Sequence, residues 1–263
     1  RMTDKHICVV NVTNLINDTQ STTHECSTTL PSPSQRFSMF HTSGTTGIPK
    51  QVVKTRHQFA AYVHGAAKAY HIAENSRVFV GTNNTFDPSA GDIFTTFFVG
   101  ATVCIATWSY TLEKLQRCVR LTEATHVGST PSVWSLFDTN TDDIVVPPRL
   151  KFVVLGGEAM PVAMARRWII RGVTMINTYG VTEATVYQMA YTLPALTFKD
   201  DISQEDQILR EQMLQHVSCI GVPLSGIEIK VAPLIDDDDG AEEHNNQQQQ
   251  HHHQQQQPQQ QQQ

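Results

Sequence analysis

The sequence has no apolar run long enough to cross a membrane and no N-terminal pattern typical of a signal peptide. Its five cysteines are odd in number and widely separated, and no two of them have the spacing of a metal or redox motif. Reduced thiols in a reducing compartment are therefore expected. A cytoplasmic protein without membrane contact is the simplest interpretation.

An excess of positive charge is also missing. The formal net charge is −6, from 19 Lys and Arg against 25 Asp and Glu. Six of the acids lie in the basic-free segment 236–263, so 19 acids face 19 bases in the rest of the chain. A nearly neutral body argues against nucleic-acid binding. The segment 236–263 is rich in Asp, Glu, Gln and His, and this composition predicts a disordered tail.

Short apolar runs alternate with helical patterns through most of the chain. Helices are predicted over 57–70 and 111–121. Two further helices are predicted to end near Gly100 and near Phe137, and residues 193–216 are predicted as a loop and a charged helix. Strands are predicted at 7–10, 52–53, 77–81, 101–106, 125–130, 150–155 and 173–176. This order predicts an α/β fold with a largely parallel sheet, flanking helices and ligands beyond the carboxyl ends of the strands.

A loop rich in hydroxyls and glycine follows the apolar run 37–40. Its glycines allow successive backbone amides to point at an anion, and its lysine adds a mobile positive charge. The loop contains Thr42, Ser43, Gly44, Thr45, Thr46, Gly47 and Lys50. It is not a Walker loop, because only two residues separate the glycines and Gln51 follows the lysine. The pattern favours a polyphosphate cradle over a polar surface loop.

Three further strings lie near predicted strand ends. Asp87 stands between Phe86 and Pro88, where a buried carboxylate needs a cationic partner, although a helix N-cap is an alternative. Ser129 and the run Gly156-Gly157-Glu158-Ala159 follow two strands, but a strand-to-helix turn would use the same glycines. The run 177–183, Asn-Thr-Tyr-Gly-Val-Thr-Glu, combines an aromatic face with a hydroxyl and a carboxylate.

These strings resemble motifs of the adenylate-forming superfamily, which includes acyl-CoA synthetases, luciferases and the adenylation domains of peptide synthetases. The loop resembles Ser-Gly-Thr-Thr-Gly-x-Pro-Lys-Gly, except that Gln51 replaces the last glycine. Residues 179–183 resemble Tyr-Gly-x-Thr-Glu, and residues 220–226 resemble Ile-Gly-x-Pro-Leu-x-Gly. The resemblance implies that a strand follows at 227–231. The resemblance covers about residues 37–231 and implies part of the superfamily's large N-terminal domain. The expected boundaries are a partial upstream segment 1–36, an incomplete adenylation domain 37–235 and the tail.

The resemblance implies that a carboxylate reacts with ATP to give an adenylate and pyrophosphate, followed by transfer to a phosphopantetheine or CoA thiol. It assigns the loop 42–50 to the β- and γ-phosphates, with Lys50 catalytic. Thr182 would act at the α-phosphate, Glu183 at Mg²⁺, and Tyr179 would stack on adenine. The other nucleotide-binding assignments are Gly157, Glu158, Ala159 and Asn177, and the substrate assignments are Asp87, Ser129 and Gly156.

Asp87 directly after Phe86 resembles adenylation domains in which this aspartate pairs with a substrate ammonium. Within the superfamily, the strings are most similar to the β-alanine-activating enzymes, so a small amino acid and a carrier-protein domain are the expected partners. The superfamily's Thr-Gly-Asp motif and its C-terminal lid are not found in the sequence, so this chain alone is expected to adenylate poorly. A non-catalytic binding remnant and a fatty acyl-CoA synthetase are the alternatives.

Overall fold

The computed structural model describes residues 7–11, 32–42, 48–137, 145–194 and 217–230. Contacts divide the chain into two units, residues 1–228 and residues 229–263. The elements described here all belong to the first unit. None of its described helices is both long and apolar enough to cross a bilayer.

The first unit is built on an eight-stranded sheet and a separate two-stranded hairpin. The strands are β1 (Ile7–Asn11), β2 (Arg36–Thr42), β3 (Lys50–Thr55), β4 (Arg77–Val80), β5 (Thr102–Ala106), β6 (His126–Ser129), β7 (Phe152–Gly156), β8 (Thr174–Tyr179), β9 (Met189–Thr192) and β10 (Val222–Pro223). The order of the large sheet is β1-β5-β4-β6-β7-β8-β9-β10, and the five central strands β5, β4, β6, β7 and β8 run parallel. β2 and β3 pair antiparallel in the hairpin.

Five α-helices lie between the strands in the part of the chain that the structure describes. They are α1 (Arg56–Ala69), α2 (Asp87–Phe98), α3 (Trp108–Leu121), α4 (Pro131–Trp134) and α5 (Val162–Ile169). Thr55 begins α1 with a capping box, in which its side chain accepts from the Gln58 amide while the Gln58 side chain accepts from the Thr55 amide. Pro88 stands in the first turn of α2, where a missing N–H costs no helical hydrogen bond.

Both faces of the large sheet are covered. Because side chains alternate along a strand, Phe79 and Val153 face one apolar cluster while Val78 and Val154 face the other. Trp134 and Trp168 bring α4 and α5 to the first cluster, and Phe59 and Tyr62 bring α1 to the second. This burial on both faces explains why the central strands read as continuous apolar runs. The layered α/β fold is confirmed.

Several elements differ from the sequence-based predictions, among them β9 and β10, which were not predicted. No strand forms over 227–230, the described part of the strand predicted at 227–231. Gly226 has φ of +88°, and the amide of Ile227 donates to the Leu224 carbonyl at 2.9 Å, so a turn occupies this position and the edge strand is β10 instead. Helix α5 was not predicted, although Met164, Ala165, Trp168 and Ile169 have the spacing of one buried helical face. Most of segment 193–216 and the whole tail lie outside the described residues.

Candidate functional site

The carboxyl ends of the parallel strands collect the predicted site residues at one edge of the sheet. Ser129 ends β6, Gly156 ends β7 and Tyr179 ends β8, and these three strands are neighbours. A short 3-10 turn, Thr182–Ala184, follows β8. Parallel strands place such ends side by side, so distant sequence motifs meet here.

The hairpin brings one end of the phosphate-loop motif to this edge. Thr42, the last residue of β2, donates its hydroxyl to Glu183 Oε1 at 3.4 Å across 141 positions of sequence. Lys50 is exposed at the start of β3, where it pairs with Thr42. The predicted cradle residues Ser43, Gly44, Thr45, Thr46 and Gly47 lie outside the described residues, but both ends of their loop are at the site.

Asp87 is the most heavily coordinated side chain of the site. It is buried at the first turn of α2, and its Oδ2 accepts from Lys54 Nζ and from the amide of Val186 at 3.1 Å. Its Oδ1 accepts from the Thr182 hydroxyl at 3.2 Å. Asp87 therefore joins the hairpin, α2 and the turn after β8 through one carboxylate. Its side chain makes no N-cap hydrogen bond, and Phe86 is the N-cap residue.

Lys54 was missed by the sequence analysis. It lies in β3 with its side chain 1% exposed, and its ammonium lies 5.4 Å from the centre of the Phe40 ring. Burial lowers the pKa of Lys54, and the hydrogen bond and charge of Asp87 oppose that shift. In β3, the side chains of Val52 and Lys54 point inward, whereas Val53 is 42% exposed. Because the two valines are adjacent and point to opposite faces, the sequence did not indicate which face of β3 is buried.

Tyr179 and Glu183 remain accessible. The Tyr179 side chain is 50% exposed, as a ring that stacks on a base must be, and Glu183 is exposed beside Thr42. Among the described residues no group of three or more His, Cys, Asp or Glu side chains forms a ready-made metal site. A single accessible carboxylate fits Mg²⁺ that is shared with substrate phosphates, since Mg²⁺ typically uses one or two carboxylates together with phosphate oxygens.

Three predicted site residues make close contacts within the protein. Asn177 Nδ2 donates to the carbonyls of Val217 and Cys219 at 3.1 and 2.9 Å, so it anchors that segment against β8. The Ser129 hydroxyl donates to the Gly81 carbonyl at 3.1 Å. Gly156 is buried where a Cβ would collide with the Thr178 hydroxyl and the ring of Tyr187.

The run Gly157-Glu158-Ala159 forms an exposed bend after β7. Gly157 has φ of +81°, a conformation that favours glycine. Glu158 accepts from both the amide and the hydroxyl of Ser132, which fixes the bend to the start of α4. The bend adjoins the strand end of Gly156, as an adenine-pocket wall would require.

Asp92, which also lies in α2, is a buried carboxylate that the sequence analysis missed. It is 8% exposed, and among the described residues its Oδ2 has no hydrogen-bond partner. It faces Gly128 so closely that a Cβ there would collide with the carboxylate. Burial raises the pKa of Asp92 from 3.8 to about 7. The only signal in the sequence was a charge within an apolar helix.

The hydroxyl of Thr42, the exposed ring of Tyr179 and the carboxylate of Glu183 thus lie at the same edge of the sheet. A family model for AMP-binding enzymes matches residues 4–248. The chain belongs to the AMP-binding enzyme family. Membership agrees with the resemblance drawn from the motifs, while the more specific similarity to β-alanine-activating enzymes stays a prediction.

Curated relatives of this AMP-binding chain include very long proteins. It is 33% identical over 156 residues to delta-poly-L-ornithine synthetase of Acinetobacter baumannii, covering 59% of this chain and 11% of that protein. It is 31% identical over 144 residues to nonribosomal peptide synthetase 2 of Cochliobolus heterostrophus, covering 55% of this chain and 2% of that protein. The chain thus spans a small fraction of these relatives.

Solved structures of AMP-binding proteins share the fold. The Vibrio cholerae adenylation domain AlmE, in complex with glycyl-adenosine-5'-phosphate, superimposes with a TM-score of 0.58 at 24% identity, covering 65% of this chain and 32% of that one. The o-succinylbenzoate CoA synthetase MenE of Bacillus subtilis superimposes with a TM-score of 0.62 at 20% identity, covering 77% of this chain and 38% of that one.

Proposed function

We propose that this chain is the nucleotide-binding part of an enzyme that activates a small amino acid, similar to β-alanine, with ATP. The observation that carries the proposal is the meeting of Thr42 and Glu183. It brings the predicted phosphate loop to the predicted α-phosphate and Mg²⁺ residues across 141 positions. Similarity to nonribosomal peptide synthetases supports an amino acid substrate and a carrier-protein partner.

In the proposed reaction a carboxylate oxygen of the amino acid attacks the α-phosphorus of ATP. A carboxylate–phosphorus bond forms while the bond from the α-phosphorus to the bridging oxygen breaks, and pyrophosphate leaves with that electron pair. A phosphopantetheine or CoA thiol then displaces AMP from the adenylate. The protein's role is to hold the reactants in line and to stabilise developing charge.

Each residue's proposed part in this reaction is taken from the family resemblance and suits its chemistry. Lys50 and the loop hydroxyls would stabilise the β- and γ-phosphates, and Thr182 would donate to the α-phosphate. Glu183 would hold Mg²⁺, and Tyr179 would stack on adenine. Asp87 would pair with the substrate ammonium. The proposed cytoplasmic location suits such a reaction, because ATP and carrier thiols are available there.

Binding of a stable adenylate mimic tests the proposal without requiring turnover. We expect β-alanyl-sulfamoyl-adenosine to raise the melting temperature of this chain more than adenosine or the palmitoyl analogue does. Lys50→Ala should weaken the effect of ATP, whereas Lys151→Ala, which removes an exposed lysine at the opposite end of β7, should not. Equal shifts from adenosine and all analogues, or preference for the palmitoyl compound, would contradict the proposal.

A further inference from the structure

Lys54 places its amino group at the carboxylate proposed for the substrate. Strand β3 directs this side chain inward, and both Lys54 and Asp87 are almost wholly removed from water, at 1% and 5% exposure. The substrate's amino group and the lysine side chain are the same chemical group, a primary ammonium on an alkyl chain. Both therefore require the same kind of partner.

Three donors already contact the buried Asp87 carboxylate. Val186 N and Lys54 Nζ reach Oδ2, and the Thr182 hydroxyl reaches Oδ1. Of these three donors the Val186 amide is fixed by the backbone and the threonine side chain is short. Lysine has a flexible four-carbon stem, so Lys54 is the donor that can move most easily.

A displaced Lys54 would not be left without an alternative. The Phe40 ring lies 5.4 Å from Nζ, and the face of an aromatic ring attracts an ammonium group. This attraction is weaker than that of a buried carboxylate, so the exchange is unfavourable for the protein. Any substrate ammonium that takes Asp87 must meet that cost.

We propose that Lys54 is an internal competitor for Asp87 and determines how strongly the site selects substrates that carry an ammonium group. The inference rests on the proposed function, because it takes the Asp87 pocket to be the substrate pocket. Removing the lysine charge opens Asp87 to an external amine. Lys54 is thus proposed as a specificity-determining residue.

The test compares β-alanyl- with propionyl-sulfamoyl-adenosine, which differ only by the amino group. Dissociation constants are measured by calorimetry for the parent protein and for Lys54→Met. Lys68→Met, which removes an exposed lysine on α1, is the control. We expect Lys54→Met to raise the preference for the β-alanyl compound by about tenfold or more, and Lys68→Met to leave the preference unchanged. An unchanged preference in Lys54→Met would overturn the inference.

Lys54→Met leaves Asp87 as a buried charge and could prevent folding, so a second measurement uses that weakness. Methylammonium chloride should raise the melting temperature or the refolding yield of Lys54→Met more than sodium chloride does. It should have no such effect on Lys54→Met/Asp87→Asn, in which the site is neutral. Equal effects of both salts would overturn the inference. Because this assay contains no nucleotide, it can succeed even where the adenylate mimics show that the proposed function is wrong.

Discussion

The first and second turns of helix α2 carry two buried carboxylates in opposite circumstances. Asp87 accepts hydrogen bonds from three donors, one of them a lysine ammonium. Asp92 leaves Oδ2 without a hydrogen-bond partner among the described residues and has a pKa raised to about 7. Both are nearly inaccessible, at 5% and 8% exposure, so burial alone does not explain the difference. The comparison shows the effect of partners, since a buried carboxylate without a hydrogen-bond partner favours its protonated form.

The largest expected effect comes from removing the paired carboxylate. Asp87→Ala should lower the free energy of unfolding by about 3–5 kcal/mol, because Lys54 is then a buried charge without its counter-ion. Urea denaturation at neutral pH measures this loss. Arg149→Ala is the matched control, since it breaks an exposed pair with Glu123 and should cost no more than about 1 kcal/mol. Similar costs for the two variants would contradict the assignment of a tightly coupled buried pair.

The second prediction concerns the pH dependence that Asp92 introduces. Its pKa is about 7 in the folded protein and near 3.8 in the unfolded chain, so the folded state holds one more proton between these values. Stability from this group is therefore complete below about pH 4 and is lost as the pH rises to about 7. Each pKa unit corresponds to about 1.4 kcal/mol, which gives a total loss on the order of 4 kcal/mol.

Asp92→Asn isolates this contribution from those of the other carboxylates. The variant should equal the parent protein in stability near pH 4, exceed it increasingly up to about pH 7 and keep a nearly constant advantage above that, as measured by urea denaturation at several pH values. Glu123→Gln changes an exposed carboxylate and should give a nearly constant difference over the same range. A constant difference for Asp92→Asn would show that Asp92 is ionised in the folded protein.

The sequence predicted the fold better than it predicted these contacts. Apolar runs identified the parallel strands because burial on both faces leaves no polar alternation to misread. The structure brings Thr42, Tyr179 and Glu183 to one edge of the sheet, while the roles predicted for them at ATP stay predictions. The pairing of Asp87 with Lys54 could not be read, because it depends on which face of β3 is turned inward.

Other features of the structure also could not be predicted from the sequence. The internal hydrogen bonds of Asn177 and Ser129 join residues that are 40 or more positions apart, and no spacing pattern encodes such contacts. The strand at 227–231 was predicted from the resemblance to the family, but the preceding Gly226 turn redirects the chain. Asp92 appeared as a charge inside an apolar helix, and its missing partners became apparent only from the packing of α2 against Gly128.

The smallest expected effect comes from removing one donor of Asp87 and keeping the others. Thr182→Val should lower the free energy of unfolding by about 1–2 kcal/mol, because a half-buried hydrogen bond to a carboxylate is lost while Lys54 still balances its charge. Thr182→Ser retains the hydroxyl and should recover most of that loss. Combining Thr182→Val with Asp87→Asn measures the coupling of the two side chains, which should be near 1 kcal/mol. No coupling would mean that Asp87 holds the turn after β8 through the Val186 amide alone, and that the Thr182 hydroxyl is already free to meet a phosphate.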